Sequence, residues 1–237
     1  ANGSDLTVDT GAEGGNITIG EIDGASQETV TLDAGTGTTS VGVIGSGTEI
    51  GVLTIGSSDN GGITLNGAIT TDGAVTIDGP VTLATGAVSV TTANDAITFN
   101  HSIDGGQTLT LSSGSAAITF TGALGASTSL GGLTVNSAGA GNITFSSTIG
   151  DAENAGVVGT TAIGNAATND LNFNSTIYSF NGATTITAKS GDTIDLAAGA
   201  ATQFLTSNDN ITFATGNIEL ANGSDLTVDT GAEGGNI

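Results

Sequence analysis

Residues 118–145, ITFTGALGASTSLGGLTVNSAGAGNITF, carry the pattern that decides the fold. They contain three triplets of the form apolar–Thr–apolar, namely Ile118-Thr119-Phe120, Leu133-Thr134-Val135 and Ile143-Thr144-Phe145. Successive side chains of a β-strand face opposite ways, so each triplet turns its two apolar residues inward and its Thr outward. β-Branched residues are common in the triplets, as they are in strands generally. The stretch therefore predicts short strands joined by turns.

The same triplet recurs along most of the chain. Its other occurrences are Leu6-Thr7-Val8, Ile17-Thr18-Ile19, Val30-Thr31-Leu32, Leu53-Thr54-Ile55, Ile63-Thr64-Leu65, Val75-Thr76-Ile77, Val81-Thr82-Leu83, Ile97-Thr98-Phe99, Leu109-Thr110-Leu111 and Ile211-Thr212-Phe213, with Leu171-Asn172-Phe173 and Ile194-Asp195-Leu196 as variants. Nothing repeats at the 3.6-residue period of a helix over a useful length, so we predict essentially no helix. Strands this short favour a β-solenoid over a sandwich of ordinary strands.

The length of one coil follows from five Phe residues that stand third in their triplets: Phe99, Phe120, Phe145, Phe173 and Phe213. Their positions differ by 21, 25, 28 and 40, and Leu196 divides the last interval into 23 and 17. We therefore predict an all-β fold, a parallel β-solenoid with coils of about 20–25 residues whose Phe side chains stack into one interior ladder. Residues 150–170, rich in Ala, Gly and Asn, are the least strand-like part.

The opening stretch at residues 1–17, ANGSDLTVDTGAEGGNI, recurs letter for letter at residues 221–237, at an offset of 220. An identity this long indicates a tandem repeat, and we expect the chain to be a segment of a much longer repetitive protein. Residues 1–220 are then one full period of a continuous β-solenoid, and residues 221–237 are the start of the next identical repeat. The expected partners are further copies of the same repeat in the same chain, stacked end to end. Lateral contact between neighbouring fibres is left open.

The composition is strongly acidic. Lys189 is the only Lys or Arg, and it stands against 23 acidic residues, which gives a net charge of −22. This charge disfavours nucleic acid and anionic membrane surfaces as partners. No apolar run approaches the roughly 18 residues that span a bilayer, so no membrane partner is expected for this segment. The absence of Cys excludes disulfides and thiolate metal sites.

Residues 117–125, AITFTGALG, and 130–139, LGGLTVNSAG, followed by Asn142-Ile143-Thr144-Phe145, resemble the β-strand repeats of giant exported bacterial surface proteins. These include filamentous-haemagglutinin-like adhesins and autotransporter passengers. The likeness is strongest over about 95–215 and weaker over 20–90, where the Phe is missing. The resemblance implies a right-handed parallel β-helix exposed outside the cell or at the cell surface, in an adhesin, an exoprotein or an extracellular fibre. Its motifs contain no catalytic residues that could be carried over.

The residues offer no constellation for catalysis, so we predict that the chain is not an enzyme and assign no catalytic, cofactor-binding or metal-binding residue. His101 is interpreted as an exposed turn residue and Lys189 as an isolated cation, because general acid–base chemistry needs paired groups. Outward Thr residues can order water in ice-binding arrays, but Thr-x-Thr occurs only at a few scattered places, such as Thr29-Val30-Thr31, Thr108-Leu109-Thr110 and Thr185-Ile186-Thr187. A strand-favouring outer face explains the Thr residues better.

Two turns, at residues 57–62 and 207–210, offer the oxygen ligands that calcium prefers. We interpret both as ordinary turns, because neither the EF-hand spacing nor the Gly-Gly-x-Gly-x-Asp nonapeptide is present. No cofactor is required. With the duplicated stretch counted once, however, the period carries −19, about 0.4 charge per Å of solenoid against roughly 0.6 for duplex DNA. Loosely bound Ca²⁺ or other counter-cations are therefore expected.

Asn residues stand directly before several strands. Asn16, Asn142 and Asn210 each precede an Ile-Thr pair. Because Asn tolerates turn conformations and bonds to nearby backbone, we predict that these residues form the corners of the coils. Stacked corner residues can form an amide ladder of the kind found in cross-β structures.

The pattern as a whole favours a structural repeat module of a giant extracellular filament- or fibre-forming surface protein. Two alternatives remain open at this point. One is the stalk or passenger of a surface adhesin that binds glycans or a host protein. The other is a subunit of a sheath or surface layer that associates laterally through cations.

Overall fold

In the computed structural model, which describes residues 3–57, 60–231 and 235–237, the chain is all-β. Twenty-five short strands stack in parallel into a β-solenoid of about nine turns, and the described residues include no helix. Both the all-β class and the parallel solenoid predicted from the triplets are confirmed. Three faces, here named A, B and C, surround the interior.

Face A is one continuous sheet of ten strands. In stacking order these are β1 (Leu6–Asp9), β3 (Val30–Asp33), β5 (Leu53–Gly56), β8 (Val75–Asp78), β11 (Ile97–Phe99), β14 (Ile118–Phe120), β16 (Ile143–Phe145), β18 (Leu171–Phe173), β21 (Thr193–Leu196) and β24 (Asn217–Leu220).

Faces B and C begin as one sheet, because β2 (Ile17–Ile22) and β4 (Thr38–Ile44) are long enough to contribute to both. Face B continues through β6 (Gly62–Leu65), β9 (Val81–Leu83) and β12 (Ile103–Asp104), then through single bridges at Leu124 and Ile149, to β19 (Ile177–Phe180), β22 (Thr202–Thr206) and β25 (Leu226–Asp229). Face C holds β7 (Ile69–Thr71), β10 (Val88–Thr92), β13 (Thr108–Ser112), β15 (Gly132–Asn136), β17 (Thr161–Ile163), β20 (Thr184–Thr187) and β23 (Ile211–Thr215).

The triplets form their strands as the alternation predicts. In β11 the side chains of Ile97 and Phe99 are buried, and Thr98 between them is only partly covered. Strands β14 and β16 repeat this pattern. Because parallel pairing in register places each residue over its equivalent in the next coil, the inward residues of all three faces merge into one continuous apolar core.

Coil length varies more than the sequence suggested. Along face A, the step from one strand to its partner in the next coil is shortest between Ile97 and Ile118 and longest between Ile143 and Leu171. The longest coil includes residues 150–170, which form only the short strand β17 and isolated bridges. The least strand-like part of the chain was predicted from the sequence at these same residues.

Four Phe residues form a stacked column inside face A. Ring centroids are 5.8 Å apart between Phe99 and Phe120, 4.8 Å between Phe120 and Phe145, and 5.3 Å between Phe145 and Phe173, with the rings within 10° of parallel. Leu196 continues the column above Phe173.

The assignment of Phe213 to this ladder was wrong. Phe213 lies in β23 on face C, paired with Ile186, and its ring meets Phe204 edge-on at 5.3 Å. The interval from Leu196 to Phe213 is shorter than even the shortest coil of face A, which runs from Ile97 to Ile118. The chain has therefore not completed a coil by residue 213 and lies on a different face.

Truncating one ring in the middle of the Phe column is expected to be costly. Phe120→Ala leaves a cavity between Phe99 and Phe145 and should lower the free energy of unfolding by about 3–5 kcal/mol, measured by denaturant titration. The matched control is its neighbour Thr119→Ala on the outer surface, expected to change stability by about 0.5 kcal/mol or less. Equal losses in the two variants would contradict the stacked core.

Candidate functional site

At several corners, carboxylate and amide side chains accept hydrogen bonds from the backbone of the next coil. In each of these hydrogen bonds a backbone N–H donates to a side-chain oxygen at 2.8–3.0 Å. The donor and acceptor residues are Thr29 and Asp5, Thr38 and Asn16, Gly47 and Asp23, Ser127 and Asp104, Thr128 and Asp104, and Thr193 and Asp170. Each pair spans 22 to 24 residues, so donor and acceptor lie one coil apart. Many of the acidic residues are thus built into the structure as hydrogen-bond acceptors.

The predicted corner Asn residues lie at corners, but they do not bond to one another as an amide ladder. Asn16 Oδ1 accepts the backbone N–H of Thr38, and Asn142 Oδ1 accepts that of Asp170 at 3.3 Å. The side chains therefore satisfy backbone of the next coil. Asp5 and Asp170 do the same from the position just before a strand, so extending the Asn rule to Asp would have found them in the sequence.

Hydrogen bonding stabilises the charged form of two Asp residues, the exposed Asp23 and the half-buried Asp151. The backbone N–H of Gly47, with further bonds from Thr48 and Ser46, lowers the pKa of Asp23. Bonds from the backbone N–H groups of Glu153 and Asn154 lower the pKa of Asp151, which shapes the loop at 151–154. Both ionised carboxylates therefore have a structural role at neutral pH, as acceptors of backbone hydrogen bonds.

The His101 and Lys189 side chains each lie beside one carboxylate. His101 Nε2 lies 3.2 Å from Asp78 Oδ1 of the preceding coil, and Lys189 Nζ lies 3.2 Å from Asp192 Oδ2 three residues on. All four side chains are partly exposed.

In each of the two turns considered as calcium sites, one Asn side-chain oxygen already accepts a backbone hydrogen bond. Ser58 and Asp59 of the first turn lie outside the described residues. Asn60 Oδ1 accepts the N–H of Gly62 at 2.9 Å, and Asn210 Oδ1 accepts the N–H of Asn236 at 2.8 Å. Among the described residues, no group of three or more acidic or His side chains is placed to hold a metal ion.

The outward Thr residues of face A form a column that the scattered Thr-x-Thr motifs did not reveal. Its members follow in register over seven coils: Thr7, Thr31, Thr54, Thr76, Thr98, Thr119 and Thr144. The column ends at Asn172 and Asp195. The column is one Thr wide over most of its length, because the residues two positions after its members include Asp9, Asp33 and Asp78.

The aromatic side chains line the interior. Tyr178, the only Tyr, is fully buried, and its hydroxyl accepts the backbone N–H of Ser175 at 2.8 Å. Burial raises the pKa of Tyr178 above the ordinary value of a phenol. Six of the seven Phe residues are buried, and Phe213 is partly buried. The surface therefore lacks the aromatic platform on which sugars commonly stack.

Apolar surface is concentrated at the two ends of the solenoid. The exposed fractions are 37% for Leu6 in β1, 40% for Ile218 and 50% for Leu220 in β24, and 77% for Ile237. Val52 and Val158 are the other large apolar residues found exposed in the described part of the chain. Among the described residues, β1 and β24 at the two ends of face A are each paired on one side only, so their outer edges have no strand partner there. The two ends of the solenoid therefore combine unpaired strand edges with exposed apolar side chains, and we take them as the candidate binding surfaces.

Comparison with known protein families, with curated protein sequences and with solved structures found no match. A search of the described residues for an apolar helix of membrane-spanning length also found none.

Acid should weaken the bond between Asp23 and Gly47. Because the folded pKa of Asp23 is lowered, its contribution is complete above the unfolded pKa and is lost as the pH falls through the folded value, below about pH 4. We expect the Tm of the wild type to exceed that of Asp23→Asn at about pH 6, and the difference to shrink at about pH 2.5.

The control for net charge is Asp195→Asn, which removes one carboxylate from the outer surface of face A. Thermal unfolding followed by circular dichroism measures all three proteins. A Tm difference for Asp23→Asn that keeps its size at low pH would contradict the role given to the Asp23 carboxylate.

Proposed function

We propose that the chain is a structural repeat module whose solenoid continues from one copy of the repeat into the next, forming a rigid, acidic, extracellular fibre of a giant surface protein. The observation that carries the proposal is the combination of an exact 17-residue duplication with a solenoid that is open at both ends.

The open ends favour continuation of the stack. An unpaired strand edge exposes donors and acceptors that bind further strands, and isolated proteins usually cover or charge such edges. In this chain the end strands expose Leu6, Ile218 and Leu220 instead. A further copy of the repeat would pair these edges and bury the apolar side chains.

The surface charge favours a fibre that stays separate from its neighbours. The net charge of −19 per period repels like fibres at distances within a Debye length, about 10 Å at 0.1 M salt. Parallel register also stacks Asp9 on Asp33 and Asp195 on Glu219, which is unfavourable for like charges. We propose that loosely bound counter-cations reduce both effects, and that divalent cations can bridge fibres laterally.

An extracellular location is supported by the resemblance to exported surface repeats. The inward placement of the aromatic residues favours a structural role over direct glycan binding. Adhesion, in this proposal, would belong to other parts of a longer protein for which the repeat serves as the stalk.

The proposal is tested with chains extended to two and three copies of the 220-residue period. Electron microscopy should show straight rods whose length increases by about 45 Å per copy at constant width, since each coil rises ~4.8 Å. The control carries a Gly/Ser linker of equal length in place of the 17-residue stretch at each seam, and should bend there. Native seams that bend as freely as the linker would contradict the proposal.

A further inference from the structure

Where both copies of the 17-residue stretch are described, the same local hydrogen bonds recur. Thr10 Oγ1 donates to the carbonyl of Gly15 at 2.9 Å, and Thr230 Oγ1 donates to that of Gly235 at 2.8 Å. The N–H of Gly11 donates to Asp9 Oδ1, and the N–H of Gly231 donates to Asp229 Oδ1. Gly11 and Gly231 have φ values of 78° and 80°, in the left-handed region that Gly adopts readily.

The two copies nevertheless lie on different faces. In the first copy, Leu6 pairs with Val30 in face A. In the second, Leu226 pairs with Thr202 in face B, and Val228 lies over Phe204 and Tyr178.

The other end of the stretch shows the same displacement. Ile17 pairs with Thr39 on face B. Asn236 in the second copy corresponds to Asn16, the residue before Ile17 in the first copy. The carbonyl of Asn236 accepts the N–H of Ile211, the first residue of β23 on face C. Both ends of the second copy are therefore one face further round the solenoid than in the first copy.

The summed length of the coils explains the displacement. Nine coils of face A lead from Leu6 to Ile218. Leu226 follows Ile218 much sooner than one coil, since even the shortest coil of face A runs from Ile97 to Ile118. Leu226 therefore cannot return to face A and occupies the next face instead. The 220-residue period winds nine coils and about one third of another.

We propose that successive copies of the repeat dock one face out of step, so that face A of each copy continues face B of the copy before it. The inference rests on the proposed continuous fibre. Each copy is turned by about a third of a revolution about the fibre axis, and the fourth copy faces the same way as the first. The surface that accepts the next copy is the edge formed by β22, β23 and β24, and β25, the first strand of the next copy, already pairs with β22.

This arrangement distributes every feature that occurs once per period around the fibre. Lys189 is the only Lys of the period, and the loop at 150–156 is the main departure from the coil pattern. In successive copies, Lys189 and this loop would each lie on a different one of the three sides of the fibre.

The register at the seam is tested in the 237-residue chain by disulfide formation, because the chain has no Cys of its own. Gln203→Cys with Thr227→Cys joins outward residues that are partners in register on face B. Neighbouring strands lie ~4.8 Å apart, within the Cα separation that a disulfide accepts. Asp195→Cys with Thr227→Cys joins the residues that would be neighbours if the second copy returned to face A.

The positive control is Thr98→Cys with Thr119→Cys, an outward pair in the middle of face A. We expect loss of free thiols in the control and in the 203/227 pair, and retention of both thiols in the 195/227 pair. Crosslinking of 195/227, or failure of 203/227 while the control crosslinks, would overturn the one-face displacement.

The rotation between copies is tested in the three-copy chain with amine-reactive gold on Lys189, the N-terminal amine marking one end. Electron microscopy should place successive Lys189 labels on sides a third of a turn apart. Straight rods with all three labels on one side would overturn this inference alone. Rods that bend freely at the seams would overturn the proposed fibre.

Discussion

Parallel pairing in register between successive coils is the constraint on which the rest of the structure depends. It places every residue over its counterpart one coil away, so a side chain that suits one coil must also suit its neighbours. Ile, Val, Leu and Phe then form apolar columns inside, and Thr forms a column outside. A single coil buries almost nothing by itself, because its core consists of the coils on either side. The unit of stability is therefore the stack, and its ends are its weakest points.

The same constraint explains how a chain with one Lys tolerates 23 acidic residues. A coil corner interrupts the backbone ladder and leaves N–H groups without strand partners. A carboxylate or amide one coil away supplies the missing acceptor, as Asp23 does for Gly47 and Asn16 does for Thr38. Hydrogen bonds to the ionised form lower the pKa of Asp23, so this charge is part of the folding free energy at neutral pH. The acidity is in part structural.

Much of the architecture could be predicted from the sequence because alternation in a triplet is a local property. Ile97-Thr98-Phe99 has its inward and outward sides fixed by its own three positions, and the interval to Phe120 is close to one coil. The face on which a triplet lies is not a local property. All three faces use the same triplet, and the face depends on the summed lengths of the preceding turns. This is why Phe213 was assigned to face A and lies on face C. The residue type at Asn16 indicated a corner, but its partner Thr38 depends on the next coil.

The duplicated stretch shows how local and global structure separate in a solenoid. Identical residues reproduce the same turn, with the same Thr–Gly and Asp–Gly bonds, while the length of the preceding chain decides the face. A period of whole coils would place the wide coil between Ile143 and Leu171 on the same side of every copy. Its irregularity would then add up and bend a long fibre steadily in one direction. A period of nine and one third coils distributes the same irregularity over three sides, so the bends cancel over three copies. In the proposed fibre, straightness would follow from the fraction of a coil left over at the end of each period.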